Sequence, residues 1–328
     1  MTGGIFRRIR PYLPIPEKPT VGFAFGVCAF LSAVLLIAWY LIPQSVLVWS
    51  KSSLIGFSII NVCRLLICLL LPFVFLVSRY SIGDRNVYGT NPGFGAAIQS
   101  ILIGVPAMLL FVALHNLFSR FLIIRSVPAP LPMIFHTTTD TSAEATLLLF
   151  LVGSALPAIL EELFFRGLLT GILPGKLWNG KGYVIIALLF AIYTLNPVDF
   201  LAVFLLGVLL GYIRHSLDNV FCAILTRLSM AGSYLLFRSL LPLIDTAAVR
   251  TEADLDSASL YIALTALIMG TLIMVPILSQ IRRISGYLRL ENIDKPQREE
   301  GQIRDHIGWA FWMGLLFFSG IWAMILGI

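Results

Sequence analysis

The sequence predicts an all-α fold, a polytopic membrane helical bundle of about nine transmembrane helices, and three observations predict it. Of 328 residues, 58% are hydrophobic and only 12% charged, with a mean hydropathy of +0.92. Apolar runs of about 20 residues, the length that carries an α-helix across hydrocarbon, recur along the whole chain. The basic residues gather in alternate connections between those runs. Together these exclude a soluble core. The net charge of +6 reports topology rather than nucleic-acid binding, because its cations lie in short loops.

The N-terminal stretch from Met1 to Thr20 carries Arg7, Arg8, Arg10 and Lys18 among several prolines. The first helix, Val21 to Ile42, is too long for a signal-peptide core and has no small-residue cleavage site after it, so it reads as a retained span. Cys28 lacks the preceding residues of a lipoprotein signal. The second helix, Ser53 to Val77, buries Arg64 near its middle. The third, Gly95 to Phe118, ends in His115 and Asn116. Ser119 to Ser142 is a loop broken by Pro128, Pro130 and Pro132, with an apolar start, Phe121 to Ile124, suited to the membrane interface.

The fourth helix runs from Ala143 to Leu173 and stops at Pro174 and Gly175, with Lys176 and Lys181 marking a short loop. Tyr183 to Leu195, the turn Asn196-Pro197-Val198-Asp199, and Phe200 to Ile213 make a hairpin of two helices, each about 20 Å long and shorter than the hydrocarbon core. Gly207 and Gly211 form a GxxxG pair that favours close helix packing. The seventh helix, Asn219 to Leu240, contains Arg227 and Arg238. An acidic loop with Asp245, Glu252, Asp254 and Asp256 follows it. Leu260 to Ile281 is the eighth helix, Arg282 to Asp305 a charged loop, and Gly308 to Ile328 the ninth helix. Cys28, Cys63, Cys68 and Cys222 fall inside apolar helices without CxxC spacing and read as buried packing residues.

On this plan the N-terminus and the even-numbered loops hold 15 Lys and Arg and the odd-numbered loops 4, with four further arginines inside helices. That bias places the N-terminus in the cytoplasm and the C-terminus outside.

The informative stretch is Leu156-Pro-Ala-Ile-Leu-Glu-Glu-Leu-Phe-Phe-Arg-Gly-Leu-Leu-Thr170, which puts Glu161, Glu162 and Arg166 inside the fourth helix, toward its cytoplasmic end. Glu162 and Arg166 are four apart in the favoured order, and Glu161 is turned about 100° away, free for other work. Pro157 leaves the carbonyl of Gly153 without its helical donor, which predicts a kink or a hydrated pocket just ahead of the acids. An ionisable group inside a membrane helix costs about 2.5 to 3.5 kcal/mol on insertion scales. One Glu/Arg pair reads equally well as a packing device; a second, adjacent Glu favours function.

Glu-Glu-x-x-x-Arg on a membrane helix, followed by the short hairpin Leu189-Phe-Ala-Ile-Tyr-Thr-Leu-Asn-Pro197, resembles the CAAX protease and bacteriocin-processing family. That family includes the Ras-converting endopeptidases and is described as intramembrane glutamic proteases. The similarity covers about Ala143 to Leu240, and Phe200 to Tyr212, with Gly207 and Gly211, also looks like the family's sixth-helix segment. It divides one integrated membrane domain into N-terminal helices (1–142), a CAAX-protease-like core (143–240) and C-terminal helices (241–328).

The resemblance implies site residues. The family's first Glu acts as general base on water, a His from a Phe-x-x-x-His motif sits beside it, and a later His-x-x-x-Asn pair supports the oxyanion. Such a base suits an apolar pocket, where a carboxylate holds a proton more readily than in water. Carried over, the acids and Arg are Glu161, Glu162 and Arg166, and the Phe of the second motif is Phe190. The expected histidine positions hold Thr194 and Arg227, and Ala231 stands at the Asn. Thr194 can hydrogen-bond a water but cannot hold a proton near neutrality. Arg227 can stabilise an oxyanion but cannot serve as a base. Its position predicts a buried ion pair with Glu161 or Glu162, in which a second guanidinium balances the second acid and makes it a poorer base.

The four histidines offer no obvious replacement. His115 reads as an interfacial polar residue on the outer side, His136 and His306 as solvated loop residues, and His215, beside Arg214, as the one histidine on the side of the acids. Two carboxylates without His or Cys make a weak transition-metal site, so neither a metal nor another cofactor is expected. Two functions follow from the resemblance: an intramembrane CAAX-type endopeptidase acting on a membrane-associated peptide or protein substrate from the cytoplasmic face, or a catalytically inactive relative serving as membrane scaffold or binding protein. A transporter would need a chain of polar residues across the bilayer, at which only Arg64 hints. The implied location is the bacterial plasma membrane, with the lipid bilayer and a peptide as partners and no nucleic acid.

Overall fold

The computed structural model describes residues 19–41, 54–124, 143–174, 182–194, 196, 199–240, 257–291 and 308–326. The basic N-terminal stretch, the Pro128 to Pro132 connection with His136, Lys176 and Lys181, the acidic loop after the seventh expected helix, and His306 lie outside the described residues. Among the described residues the architecture is helical throughout, and the lone β-type pairing is an isolated bridge between Gly89 and Asn219.

In chain order the helices are α1 (Val21–Leu41), α2 (Leu54–Leu65), α3 (Leu71–Tyr80), α4 (Asp84–Tyr88), α5 (Phe94–Leu102), α6 (Gly104–Ile124), α7 (Ala143–Leu148), α8 (Leu156–Glu162), α9 (Gly182–Tyr193), α10 (Phe200–Leu217), α11 (Val220–Leu240), α12 (Ser257–Glu291) and α13 (Trp309–Leu326). Six stretches are long and apolar enough to cross a membrane: Ser58–Tyr80, Phe94–Arg120, Glu144–Leu169, Phe200–Leu217, Val220–Phe237 and Leu260–Gly286. Shorter apolar stretches, Val21–Leu35, Gly182–Tyr193 and Trp309–Gly320, occupy the other three expected places. The chain is thus an integral membrane protein.

Two of the long spans contain a π turn directly ahead of a proline. Leu66–Leu70 joins α2 to α3, where Pro72 sits in the first turn, and Leu149–Ala155 joins α7 to α8, where Pro157 does the same. At the end of each turn a backbone N–H reaches five residues back, Leu71 to Leu66 and Leu156 to Leu151. Wider spacing of this kind bypasses the N–H that proline lacks, so the chain absorbs each proline without breaking the span. The disturbance expected from Pro157 takes this form. A third π turn, Leu163–Leu169, follows α8 and contains Arg166.

Several expectations are corrected. The sixth helix does not stop at Ile213: α10 continues to Leu217 and ends at Asp218, in the left-handed region with φ 45°. Arg214 therefore lies inside the helix rather than in a loop, fully buried, because it donates to the Asp218 carboxylate at 2.8 Å and to the Asn86 carbonyl at 3.3 Å. At 18 residues α10 spans about 27 Å, whereas the 12 residues of α9 reach only about 18 Å. The interfacial segment Phe121 to Ile124 is the last turn of α6. The eighth helix extends past Ile281 to Glu291, taking in Arg282 and Arg283, since leaving the apolar layer does not itself end a helix and arginine is a good helix former. Cys28, Cys68 and Cys222 are buried, but Cys63 is exposed.

His115 is not an interfacial residue. It is buried, its Nδ1 lies 2.5 Å from Asp199 Oδ1, Ser119 Oγ lies 3.4 Å from its Nε2, and Asn196 donates to Asp199 Oδ2 at 2.7 Å. The carboxylate stands at the N-terminus of α10, where the helix dipole favours negative charge, and the pair ties that end to α6. Ser119 itself is fully buried.

Packing brings α12 along α6, α13 along α1 and α9 along α10. Phe25 of α1 meets Phe311 and Phe318 of α13 at 6.2 and 5.9 Å between ring centroids. The GxxxG pair does close the hairpin: a Cβ on Gly207 would lie 2.9 Å from the Ala187 Cβ, and one on Gly211 2.8 Å from the Tyr183 Cβ. Gly211→Val should therefore prise α9 from α10 and lower the unfolding free energy by about 1 to 3 kcal/mol, the usual cost of overpacking. Gly232→Ala, where a Cβ meets nothing within 4 Å, should leave thermal unfolding in detergent unchanged or raise it. Equal losses from the two would remove the packing argument.

Candidate functional site

The acids sit where α8 passes into the third π turn, with α9, α10 and α11 packed round them. Glu162 and Arg166 are fully buried, Glu161 is 6% exposed and Arg227 5% exposed. Removing four charges from water is tolerable only if each finds a partner. Arg227 Nη1 donates to Glu161 Oε2 at 2.6 Å and to Glu162 Oε1 at 3.2 Å. Arg166 Nη1 donates to the same Glu162 Oε1 at 3.2 Å. The result is a continuous chain, Glu161 to Arg227 to Glu162 to Arg166, with two positive and two negative charges.

The surroundings fix this chain in place. Arg166 Nη2 donates to the carbonyl of Gly207 at 3.1 Å, which ties the acid-bearing segment to α10 at the glycine that lets the backbones approach. Its guanidinium carbon lies 4.4 Å from the centre of the Phe190 ring, and that of Arg227 lies 5.5 Å from the same ring. An aromatic quadrupole close to two cations offsets part of their desolvation. Phe165 packs against Phe190 and Tyr193 at centroid distances of 5.2 and 5.4 Å, keeping the floor apolar. On the far side Arg214 Nε donates to the carbonyl of Arg166 at 3.3 Å. Thr170 Oγ1 donates to the carbonyl of Phe165 at 2.9 Å, a group that also accepts from the Thr170 backbone N–H across the π turn.

Of the residues singled out in the sequence, Glu161, Glu162, Arg166 and Arg227 come together, in the pairing expected of Arg227. Thr194 is buried, and its hydroxyl donates to the carbonyl of Ala191 at 2.8 Å rather than to either acid. Ala231 is buried one turn beyond Arg227 and offers no polar group. His215 stacks on Tyr183, with centroids 6.2 Å apart, on the α9 side of α10. Sequence reasoning missed three contributors: the Gly207 carbonyl, the Phe190 ring as a shelf for two guanidiniums, and Arg214 as a brace. Only Phe190 had a signal, its place in the second motif.

This arrangement occupies some, not all, of its carboxylate oxygens. A base needs a free lone pair aimed at the attacking water. Here Glu161 Oε2 is held by Arg227, Glu162 Oε1 is shared by two guanidiniums, and Glu162 Oε2 is buried without a donor among the described residues, so Glu161 Oε1 is the oxygen left outside the ion-pair chain. Breaking such a chain from one side should cost about 3 to 5 kcal/mol, because it strands a buried charge. Arg227→Met and Glu161→Gln should each lower thermal stability in detergent, and the double variant should recover part of the loss. Strictly additive losses, here and with Glu162→Gln, would mean that the pairing carries no energy.

No curated protein and no solved structure matches the chain. A family model does match part of it. The segment that builds the acid cluster, residues 143–232, matches the model described as type II CAAX prenyl endopeptidase Rce1-like, the family that its Glu-Glu-x-x-x-Arg motif resembles.

Proposed function

We propose that this CAAX-protease-type membrane protein has exchanged hydrolysis for binding: the family's acid site is retained as a closed ion-pair chain, and the protein serves as a membrane scaffold or binding protein for membrane-associated peptides or other amphiphiles. The 2.6 Å contact from Arg227 to Glu161 carries this reading. Glu161 is the acid that the family uses as base, and here one of its oxygens is engaged by a buried guanidinium. Retained peptidase activity is the competing reading, in which Arg227 lets go of Glu161 and turns to the oxyanion.

The two readings part in one assay. Purified protein in detergent, offered a library of apolar peptides, should release no product above the Glu161→Gln background. The triple variant Thr194→His, Arg227→His, Ala231→Asn, which restores the family's pattern, is the positive arm. Wild-type cleavage that Glu161→Gln abolishes and Leu163→Ala leaves intact would sink the binding reading.

The loop charge bias supports an N-terminus in the cytoplasm and acids reached from that side. In a cysteine-free background, an impermeant thiol reagent should label Asp245→Cys in intact cells and spare Lys176→Cys. The reverse pattern would invert the orientation.

A further inference from the structure

The polar residues toward the end of α6 form a second cluster, apart from the acids. His115, Asn116 and Ser119 close the membrane span Phe94–Arg120, and Asp199 stands just before the span Phe200–Leu217. All four are buried, Ser119 fully. Asp199 precedes Gly207 by a rise of about 12 Å along α10, so the cluster is separate from the ion-pair chain that Gly207 anchors.

Its contacts run in one order. Ser119 Oγ lies 3.4 Å from His115 Nε2, and His115 Nδ1 lies 2.5 Å from Asp199 Oδ1. Asp199 is held in turn by Asn196, whose Nδ2 donates to Oδ2 at 2.7 Å. With the carboxylate on Nδ1, the imidazole carries its proton there and turns the Nε2 lone pair to the serine. This is the connectivity of a hydroxyl nucleophile, its base and the acid that orients the base, which is recognised by geometry whatever the order in the chain. A tie between α6 and α10 needs only His115 and Asp199. Ser119 has a simpler alternative, and other buried helical hydroxyls take it: Ser32, Ser100 and Thr226 each donate to the carbonyl four residues back. Ser119 faces the ring instead. The contact is long, as such contacts often are before a substrate closes them.

A neighbouring amide adds the remaining part. Asn116 lies three residues before Ser119, on the same side of α6, and its buried Oδ1 has no donor among the described residues. A half-turn of the carboxamide exchanges its oxygen and nitrogen, and with Nδ2 in that place the amide donates to an oxyanion formed at Ser119. The cluster joins the ends of two membrane spans, the level at which the ester carbonyls of lipids meet interfacial water. Burial in the bundle suits an apolar chain rather than a charged solute.

We infer that Ser119, His115 and Asp199 form a second site, a serine esterase site for the apolar acyl ester of a membrane lipid. Ser119 Oγ attacks the ester carbonyl carbon while His115 Nε2 takes the hydroxyl proton. That proton passes to the departing alkoxide, which leaves as an alcohol, and the acyl group stays on Ser119. Water, giving its proton to the same nitrogen, attacks the acyl-serine; the carboxylic acid leaves and the proton returns to Ser119. Ser119 and His115 are catalytic, and Asp199 is a positioning residue. The site uses neither glutamate and is independent of the binding reading.

Full-length protein in an uncharged, ester-free detergent is exposed to a long-chain alkyl fluorophosphonate, the adduct is mapped by mass spectrometry, and turnover is followed with p-nitrophenyl palmitate. One phosphonyl group should add at Ser119 with loss of fluoride. Ser119→Ala should abolish addition and turnover, whereas Ser319→Ala, at an exposed serine of α13, should match wild type. His115→Gln should slow addition about a hundredfold or more. Asp199→Asn should lower kcat by at least about tenfold with KM little changed, a split that a merely structural role would not produce. No addition to the folded protein, addition at another residue, turnover no higher than in Ser119→Ala, or addition at Ser119 that His115→Gln leaves at its wild-type rate would overturn the inference and leave His115 and Asp199 as a structural tie. If His115→Gln does not fold, the mapping on wild type and the loss of turnover in Ser119→Ala decide.

Discussion

The bundle around residues 143–232 depends on one interaction, the sharing of Glu162 Oε1 between Arg166 and Arg227. Four charges in an apolar interior are a liability until they neutralise one another, and this oxygen is where the two halves of the chain meet. Through Arg166 it reaches the backbone of α10 at Gly207, and through Arg227 it reaches α11 and Glu161. The close approach of α9 and α10 at Gly207 and Gly211 brings Phe190 under both guanidiniums. Small residues, aromatic floor and ion chain are therefore one device. Without the glycines the cations lose their shelf; without the cations the acids could not be buried.

Much of this was legible because hydrocarbon imposes a length. Spans of about 20 apolar residues leave little freedom in where helices fall, and the fourth expected helix is recovered nearly residue for residue as α7, α8 and their π turns. Helix ends were less legible. Charged residues such as Arg214 and Arg282 looked like loop markers, yet Arg214 is buried by local partners and Arg282 continues a helix beyond the apolar layer. A polar residue near a span terminus carries no sign of whether it meets water or a partner 84 positions away, and His115 meets Asp199. The π turns had a trace in Pro72 and Pro157, but a proline specifies only that a donor is missing, not how the chain compensates.

The candidate site was legible for a different reason. Ionic partners in an apolar interior are constrained by charge, so a chain that loses a histidine and gains Arg227 opposite two acids has few ways to satisfy them. Thr194 was not constrained in this way. A hydroxyl can satisfy itself on the backbone one turn back, and Thr194 does so at Ala191. A neutral residue at a family's catalytic position thus left its place in the site open, whereas a charged one fixed it.

The two acids also differ in what they can surrender. Glu162 is fully buried, carries two guanidiniums on one oxygen and connects α11 to the anchored Arg166, so its loss would leave Arg166 without a carboxylate and Arg227 with Glu161 alone. Glu161 has one partner and slight exposure. Structural duty therefore falls on the second acid and adaptability on the first. Arg227 on α11 engages one oxygen of Glu161 while leaving the framework of Glu162, Arg166 and Gly207 in place. The architecture therefore rests on Glu162 and its two arginines, and what faces Glu161 can change without disturbing the hold of Gly207 on Arg166.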